Sequence, residues 1–465
     1  MKNVYSKVLF VTLSSISALS FADVSLYGKV AVGLENDQFQ NNTIPGGGSV
    51  QDYGSYFGIR GVDPVYGENA VIWQVEQYLD ISSGQSYYSN TGYGMVVPFP
   101  NANLNSNNIP TNWNGYVKND MNTLASSETY LGLQGAWGRF RMGNLSNYMR
   151  SNMGNTNMFN CANGINCLGV FTRTSRLIPT SIRYDSPVFG GFNISAGYGF
   201  NTNGGTGISG INAFNTFNSG LNGSYSGGII SGGIGWTNGN WQANLGTMIW
   251  QQVGNYATGA NGLTNCSGIG TSTTCFPNST YSNAYASTFE VGYNDPDGLI
   301  ANVGFQITSG MAWSGWAVSG GTLGVTYSPG YQAVAQQLFE NAQLQTQEIA
   351  VSLGYHLGPW TPKIGYAYGN NLMVGGSPFS LIAGSAQQIA NSGYQNVAAE
   401  LDWNITPRTI AFVNYGQIWY GQTLQNVAFP NIVNGAPAAS QGTVNGITQY
   451  VANQSTFGVG FSHTF

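Results

Sequence analysis

The sequence predicts an all-β protein, a 16-stranded antiparallel transmembrane β-barrel with short turns at one end and long loops at the other. Three observations carry this expectation. The first is the C-terminus, where Phe457, Val459, Phe461, His463 and Phe465 alternate with Gly458, Gly460, Ser462 and Thr464. A period of two is a strand with unlike faces. In a soluble sandwich the apolar face would look inward; in a barrel set in lipid it looks outward, and the small polar face lines a wet interior. The second observation is charge. Only 7% of the 465 residues are charged, against about 25% in an ordinary soluble domain. Hydrophobic residues nevertheless make up an unexceptional 42%, and mean hydropathy is −0.10. The third is a strict alternation of short, turn-forming connections with long polar ones.

The chain opens with Lys2 and Lys7, an apolar stretch from Val8 to Leu19, and the small-x-small pattern Ser20-Phe21-Ala22. This is the composition of a secretory signal peptide, residues 1–22, cleaved near Ala22 so that the mature chain starts at Asp23. Beyond it no run of about eighteen apolar residues occurs, the length a membrane helix needs. Residues 23–465 are expected to form one barrel domain. Loss of Lys2 and Lys7 takes the net charge from −5 to −7, and no charged residue lies between Asp185 and Glu290.

Strand character marks sixteen segments: 23–35, 53–62, 69–80, 127–135, 138–144, 180–187, 191–200, 224–237, 240–252, 284–295, 298–310, 345–357, 361–371, 394–405, 408–420 and 453–465. The short connections between them include Asp63-Pro64-Val65-Tyr66-Gly67, Ala136-Trp137, Pro187 to Gly190, Asn238-Gly239, Asp295-Pro296-Asp297-Gly298, Gly358-Pro359-Trp360 and Pro407. Glycine and asparagine tolerate positive φ and proline fixes φ, so these are turn residues for a stated reason. The long connections are rich in Asn, Gly, Ser, Thr and Gln. An even strand number with segregated loop lengths is the layout of a transmembrane barrel. The stretch 311–344 is the least defined: Gly321 to Tyr327 could pass for a strand, and Ala333 to Leu344 has the composition of a short loop helix.

The four cysteines fall in two close pairs, Cys161 with Cys167 and Cys266 with Cys275. In an oxidising compartment such pairs read as local disulfides. The two histidines, His356 and His463, cannot build a zinc site or a catalytic triad. No glycine-rich phosphate loop opens a helix, and Asp295-Pro296-Asp297-Gly298 reads as a turn rather than a calcium site. The expectation is a protein without enzymatic activity, cofactor or nucleic-acid partner.

Several segments taken in order resemble the general porins of Gram-negative bacteria, in particular their β-proteobacterial branch. They are Asp23-Val24-Ser25-Leu26-Tyr27-Gly28; Ser55-Tyr56-Phe57-Gly58-Ile59-Arg60-Gly61; Ala70-Val71-Ile72-Trp73-Gln74-Val75-Glu76; Tyr130-Leu131-Gly132-Leu133-Gln134-Gly135 with Gly138-Arg139-Phe140-Arg141-Met142-Gly143; Ser181-Ile182-Arg183-Tyr184-Asp185-Ser186-Pro187 with Gly190-Gly191-Phe192; and the terminal strand. The resemblance implies a homotrimer of barrels in the outer membrane, in contact with lipid and lipopolysaccharide. It also implies a third external loop, 145–178 here, folded inward to constrict each pore, and a second loop, about 81–126, reaching over a neighbouring barrel. This chain departs from the family pattern in two ways. Tyr56, Ser127 and Asn144 stand where the family often has arginine, and the third loop contains no Asp or Glu.

In a pore, selection is set by width and by charge on the wall. Alternation assigns the charges to a face. Leu26, Val30 and Val32 facing lipid leave Tyr27 and Lys29 inside; Phe57 and Ile59 outside leave Arg60 inside. Phe140 and Met142 outside leave Arg139 and Arg141 inside, and Ile182 with Tyr184 leave Arg183 inside. The reverse would place charge in lipid at about 2–4 kcal/mol each at mid-depth. Arg150, Arg173 and Arg176 come from the third loop, and Glu76 and Asp185 are inward counterweights. The expectation is a basic eyelet passing small hydrophilic solutes with a preference for inorganic anions. The competing reading is that these arginines pair with Glu76, Glu128 and Asp185 and brace the loop against the wall. Trp73, Trp250, Trp403, Trp419 and Phe465 are expected in an interfacial girdle. Two other functions fit less well: a barrel that only anchors adhesive or receptor loops, and a substrate-specific channel.

Overall fold

The computed structural model describes residues 23–39, 47–82, 85–86, 125–161, 165–168, 177–200, 228–254, 266–269, 272–275, 281–309, 344–371, 373–374, 387–388, 391, 393–421, 432–433, 436–437, 443–444, 447–448 and 454–465. The expectations for the leader, for the second loop at 87–124 and for 311–343 lie outside them.

The barrel strands are β1 (Asp23–Phe39), β2 (Ser55–Tyr66), β3 (Asn69–Asp80), β4 (Thr129–Gly135), β5 (Gly138–Ser146), β6 (Leu177–Asp185), β7 (Phe192–Gly199), β8 (Ile229–Asn238), β9 (Trp241–Gly254), β10 (Tyr281–Asn294), β11 (Leu299–Ser309), β12 (Leu344–Tyr355), β13 (Trp360–Gly369), β14 (Tyr394–Thr406), β15 (Thr409–Tyr420) and β16 (Gln454–Thr464). Each pairs antiparallel with the next. The last strand pairs with the first, from Lys29 opposite Thr464 to Phe39 opposite Gln454, so the sheet closes. Gly28 and Phe465 exchange backbone hydrogen bonds of 3.1 Å at the seam. A closed sheet has no unpaired edge, which is what lets strands cross a bilayer.

Alternation holds through the terminal strand: Phe457, Val459 and Phe461 are exposed, while Gly458, Gly460 and Ser462 are buried. The same outward face carries Leu26, Leu131, Ile194, Val303, Leu353 and Val413. Beside the short turns aromatic rings pair on the outside. Trp137 stacks on Tyr184 with centroids 6.3 Å apart, Trp360 on Trp403 at 5.5 Å, and Trp241 meets Tyr293 edge-on at 5.0 Å. Of the expected girdle, Trp403 and Phe465 lie exposed outward and Trp73 and Trp419 are half-buried; the Trp250 side chain lies outside the description.

Most strand ends differ from the sequence reading by a few residues, and three differences have a structural reason or consequence. The second strand was expected to end at 62, before a turn at 63–67, but β2 continues to Tyr66 and the turn is only Gly67-Glu68. A register shift between Pro64 and Tyr66 absorbs the proline, which has no N–H to offer the ladder. The segment Gly47–Asp52 pairs with the upper part of β1, from Val32 opposite Asp52 to Asp37 opposite Gly47, before Tyr53-Gly54 breaks the strand. The third loop is also shorter than 145–178, because β5 runs to Ser146 and β6 starts at Leu177.

Candidate functional site: the barrel interior

On β1–β6 the inward face is polar and carries basic and acidic side chains together. Arg60 lies over the Tyr27 ring, 4.9 Å from its centroid, and donates from Nε to Ser25 Oγ at 3.2 Å. Tyr27 donates its hydroxyl to Glu76 Oε2 at 2.9 Å, and Ser127 Oγ donates to Glu76 Oε1. Lys29 Nζ donates to the Tyr53 carbonyl at 3.0 Å. A few strands on, Asp185 gathers three arginines: Arg141 at 2.8 Å, Arg183 at 2.7 Å and Arg139 at 3.3 Å. Arg141 also pairs with Glu128 at 2.8 Å and covers the Tyr130 ring. Cross-strand register explains the cluster, since Arg139 stands opposite Asp185 and Arg141 opposite Arg183. The members are unequal: the Arg141 and Arg183 side chains are 4% and 5% exposed, that of Arg139 is 42% exposed.

The third loop begins with a short helix, α1 (Tyr148–Asn152), lying inside the barrel against β8 and β9. Arg183 holds it: Nη1 donates to the Ser146 carbonyl and to Ser151 Oγ, both at 2.8 Å, and Nη2 to Asn152 Oδ1 at 3.0 Å. Tyr148 donates to Asn244 Oδ1 at 3.1 Å. Burial pushes that hydroxyl up to about 12, so it stays a donor at physiological pH. The chain then runs along the inner wall. Gly154 meets β10, Met158 meets β13, Asn160 meets β14 and Asn166 meets β15 and β1. The wall is smooth under this path. A Cβ at Gly246 would meet Met149 and Met153, one at Gly365 the Phe159 ring, and one at Gly416 the backbone of Ile165 and Asn166. A disulfide between Cys161 and Cys167 closes the bend that seats Ile165 and Asn166.

Under the loop the wall is acidic. Glu290 Oε2 accepts the Gly154 N–H at 2.8 Å. Gly154 has φ +109°, a conformation glycine adopts without a Cβ clash, and this turns successive amides toward the carboxylate. Glu400 accepts the Asn160 N–H at 2.8 Å and an Asn160 Nδ2 hydrogen at 3.2 Å. Lys363 bridges Glu400 at 2.7 Å and Asp402 at 2.6 Å, and donates to the Met158 carbonyl at 3.0 Å. Glu35 accepts from the Tyr53 hydroxyl at 2.9 Å and from Asn166 Nδ2 at 3.3 Å. All four carboxylate residues are at least 95% buried.

A family model described as Gram-negative porin matches residues 9–423. The chain belongs to the Gram-negative porins. The major outer membrane protein P.IB of Neisseria gonorrhoeae is 22% identical over 431 residues, covering 89% of this chain and 94% of that one. A P.IB protein of Neisseria meningitidis serogroup B is 26% identical over 207 residues, covering 43% of this chain and 50% of its own length. Among solved structures, the anion-selective porin from Comamonas acidovorans superposes with a TM-score of 0.55 at 15% identity, covering 96% of this chain and all of that one. The porin is therefore an outer-membrane channel for passive passage.

Of the residues singled out from sequence, the barrel brings Lys29, Arg60, Glu76, Arg139, Arg141, Arg183 and Asp185 to its interior face. Arg150 lies in α1, with its side chain outside the description, and Arg173 and Arg176 lie outside it altogether. Cys266 and Cys275 are cross-strand partners in a small hairpin. Pairing and bracing turn out to occupy Arg141 and Arg183, whereas Arg60 and Arg139 remain open to the interior. Parity reasoning missed Glu290, Lys363, Glu400 and Asp402, although the signal was present. Leu401 and Trp403 on the lipid side require Glu400 and Asp402 inside, just as Ile364 requires Lys363 inside.

Proposed function

We propose that this porin passes small hydrophilic solutes and prefers inorganic anions, with residues 147–176 as the constriction. One observation carries the reading. Among the described residues, Arg60 and Arg139 are cations open to the interior and stand on one wall, while Glu290, Glu400 and Asp402 of the opposite wall are buried against the loop and Lys363. A ring or face of uncompensated charge sets which ion enters, and here that charge is positive. The description of the Comamonas acidovorans structure as anion-selective is consistent with this, though a likeness of that degree speaks for the fold. We read the assembly as a homotrimer seated in lipid and lipopolysaccharide, in keeping with the apolar outward belt. We also read Cys266–Cys275 as a second local disulfide, supported by their direct cross-strand register. Purified protein in a planar bilayer tests the proposal. Conductance steps in threes with a reversal potential of anionic sign in a potassium chloride gradient are expected. A cationic sign would overturn the charge assignment, and single steps the trimer.

A further inference from the structure

The third loop carries no acidic residue, yet it lies on a wall that carries several, and its contacts with that wall go largely through backbone amides and asparagine side chains. We infer that the loop sets selectivity by covering charge as well as by narrowing the pore: it is a screen with no carboxylate of its own that keeps Glu35, Glu290, Glu400 and Asp402 from acting on passing ions. This deepens the selectivity reading above and concerns which element enforces it.

The argument is electrostatic. A carboxylate that faces the water of a pore raises the local cation concentration. Each carboxylate here instead spends its lone pairs on fixed donors: Glu290 on the Gly154 amide, Glu400 on Asn160 and Lys363, Asp402 on Lys363, Glu35 on Tyr53 and Asn166. Oriented amides are partial positive charges that offset the anion without adding a mobile one. Loop backbone and side chains then stand between the carboxylates and the interior water, and an electrolyte of about 0.15 M screens what remains over about 8 Å. The fit is close, because a Cβ at Gly416 would meet the loop backbone and one at Gly246 or Gly365 the loop side chains packed there. The surface presented to solute is thus the side of the loop turned away from these carboxylates.

The test excises residues 154–168 and closes the gap with Gly-Ser-Gly, so that both Cys161 and Cys167 leave together. Permeability ratios for chloride over potassium are then measured in the full-length channel with and without the loop. Excision is expected to raise conductance and to lower the chloride preference several-fold. Adding Glu290→Gln and Glu400→Gln to the excised channel is expected to restore most of that preference, while the same pair moves the ratio less in the intact channel. An excised channel with higher conductance and an unchanged ratio would overturn the inference, as would an equal effect of the glutamines in both backgrounds. The sign in the unmodified protein tests the anion reading separately. Should the excised barrel fail to fold, labelling of the intact protein with a water-soluble carbodiimide and an amine, read by peptide mass, decides the same point. Glu290 and Glu400 are expected to stay unlabelled while exposed Glu68 and Asp297 react; equal labelling would contradict the screen.

Discussion

The two halves of the barrel wall hold charge in opposite ways. On β1–β6, Arg139, Arg141 and Arg183 pair with Glu128 and Asp185, Lys29 and Arg60 donate to neutral oxygens, and Arg139 stays largely exposed. On β10–β15, with Glu35 of β1 beside them, carboxylates outnumber Lys363, and Glu290 and Glu400 are capped by backbone amides of an inserted loop. The open half can act on a passing ion at once, whereas the covered half acts on the loop. A net count over the sequence, −5, points to the opposite sign from the one we propose for the pore. What matters is which charges remain uncovered.

The most severe way to break this comparison is Asp185→Ala. It removes a shared partner of Arg139, Arg141 and Arg183, two of them buried, and breaking such a pair costs about 3–5 kcal/mol. Chemical unfolding should show a loss of that size together with a stronger chloride preference; an unchanged midpoint would mean that the cluster is not what holds the arginines. Next is Val303→Arg, on the lipid face near the middle of β11, expected to cost about 2–4 kcal/mol in a refolding equilibrium. A neutral result would put that face away from lipid. The disulfide Cys161–Cys167, with a sequence separation of 6, constrains the unfolded chain by about 2 kcal/mol. Reductant should therefore lower the melting temperature of the wild type by more than that of a Cys161→Ala/Cys167→Ala pair, which has only the proposed Cys266–Cys275 bridge left to lose. Smallest in stability is Arg139→Gln: its ion pair is 3.3 Å long and its side chain half-exposed, so the cost should stay below about 1 kcal/mol. Its chloride preference should nonetheless fall.

Strands were legible because their physics is local. The expected 69–80 coincides with Asn69–Asp80, and the inward assignment of Arg60, Arg139, Arg141 and Arg183 follows from a two-residue period that burial in lipid enforces. The extension of β2 through Pro64 was not legible, since a proline inside a bulge and a proline in a turn read alike until the partner strand is known. Parity gave Arg141 its face without its partners, because Glu128 reaches it from the residue before β4 and Asp185 from β6. The covered wall was hidden for a similar reason. Glu290, Glu400 and Glu35 are scattered over the chain, and they are joined by backbone amides and an asparagine side chain of the loop, neutral donors that charge pairing does not reveal. Glycines on the inward parity of β9, β13 and β15 were the one trace of the loop's path, and they look like ordinary strand glycines until something rests on them.

The most direct test of the account compares two neutralised walls in otherwise intact channels. Reversal potentials in a potassium chloride gradient would be recorded for Arg60→Gln/Arg139→Gln and for Glu290→Gln/Glu400→Gln beside the wild type. The account predicts an anionic sign for the wild type, a marked move toward zero for the arginine pair and a much smaller move for the glutamate pair. A shift from the glutamate pair as large as that from the arginine pair would contradict it, because the covered wall would then be acting on the ions.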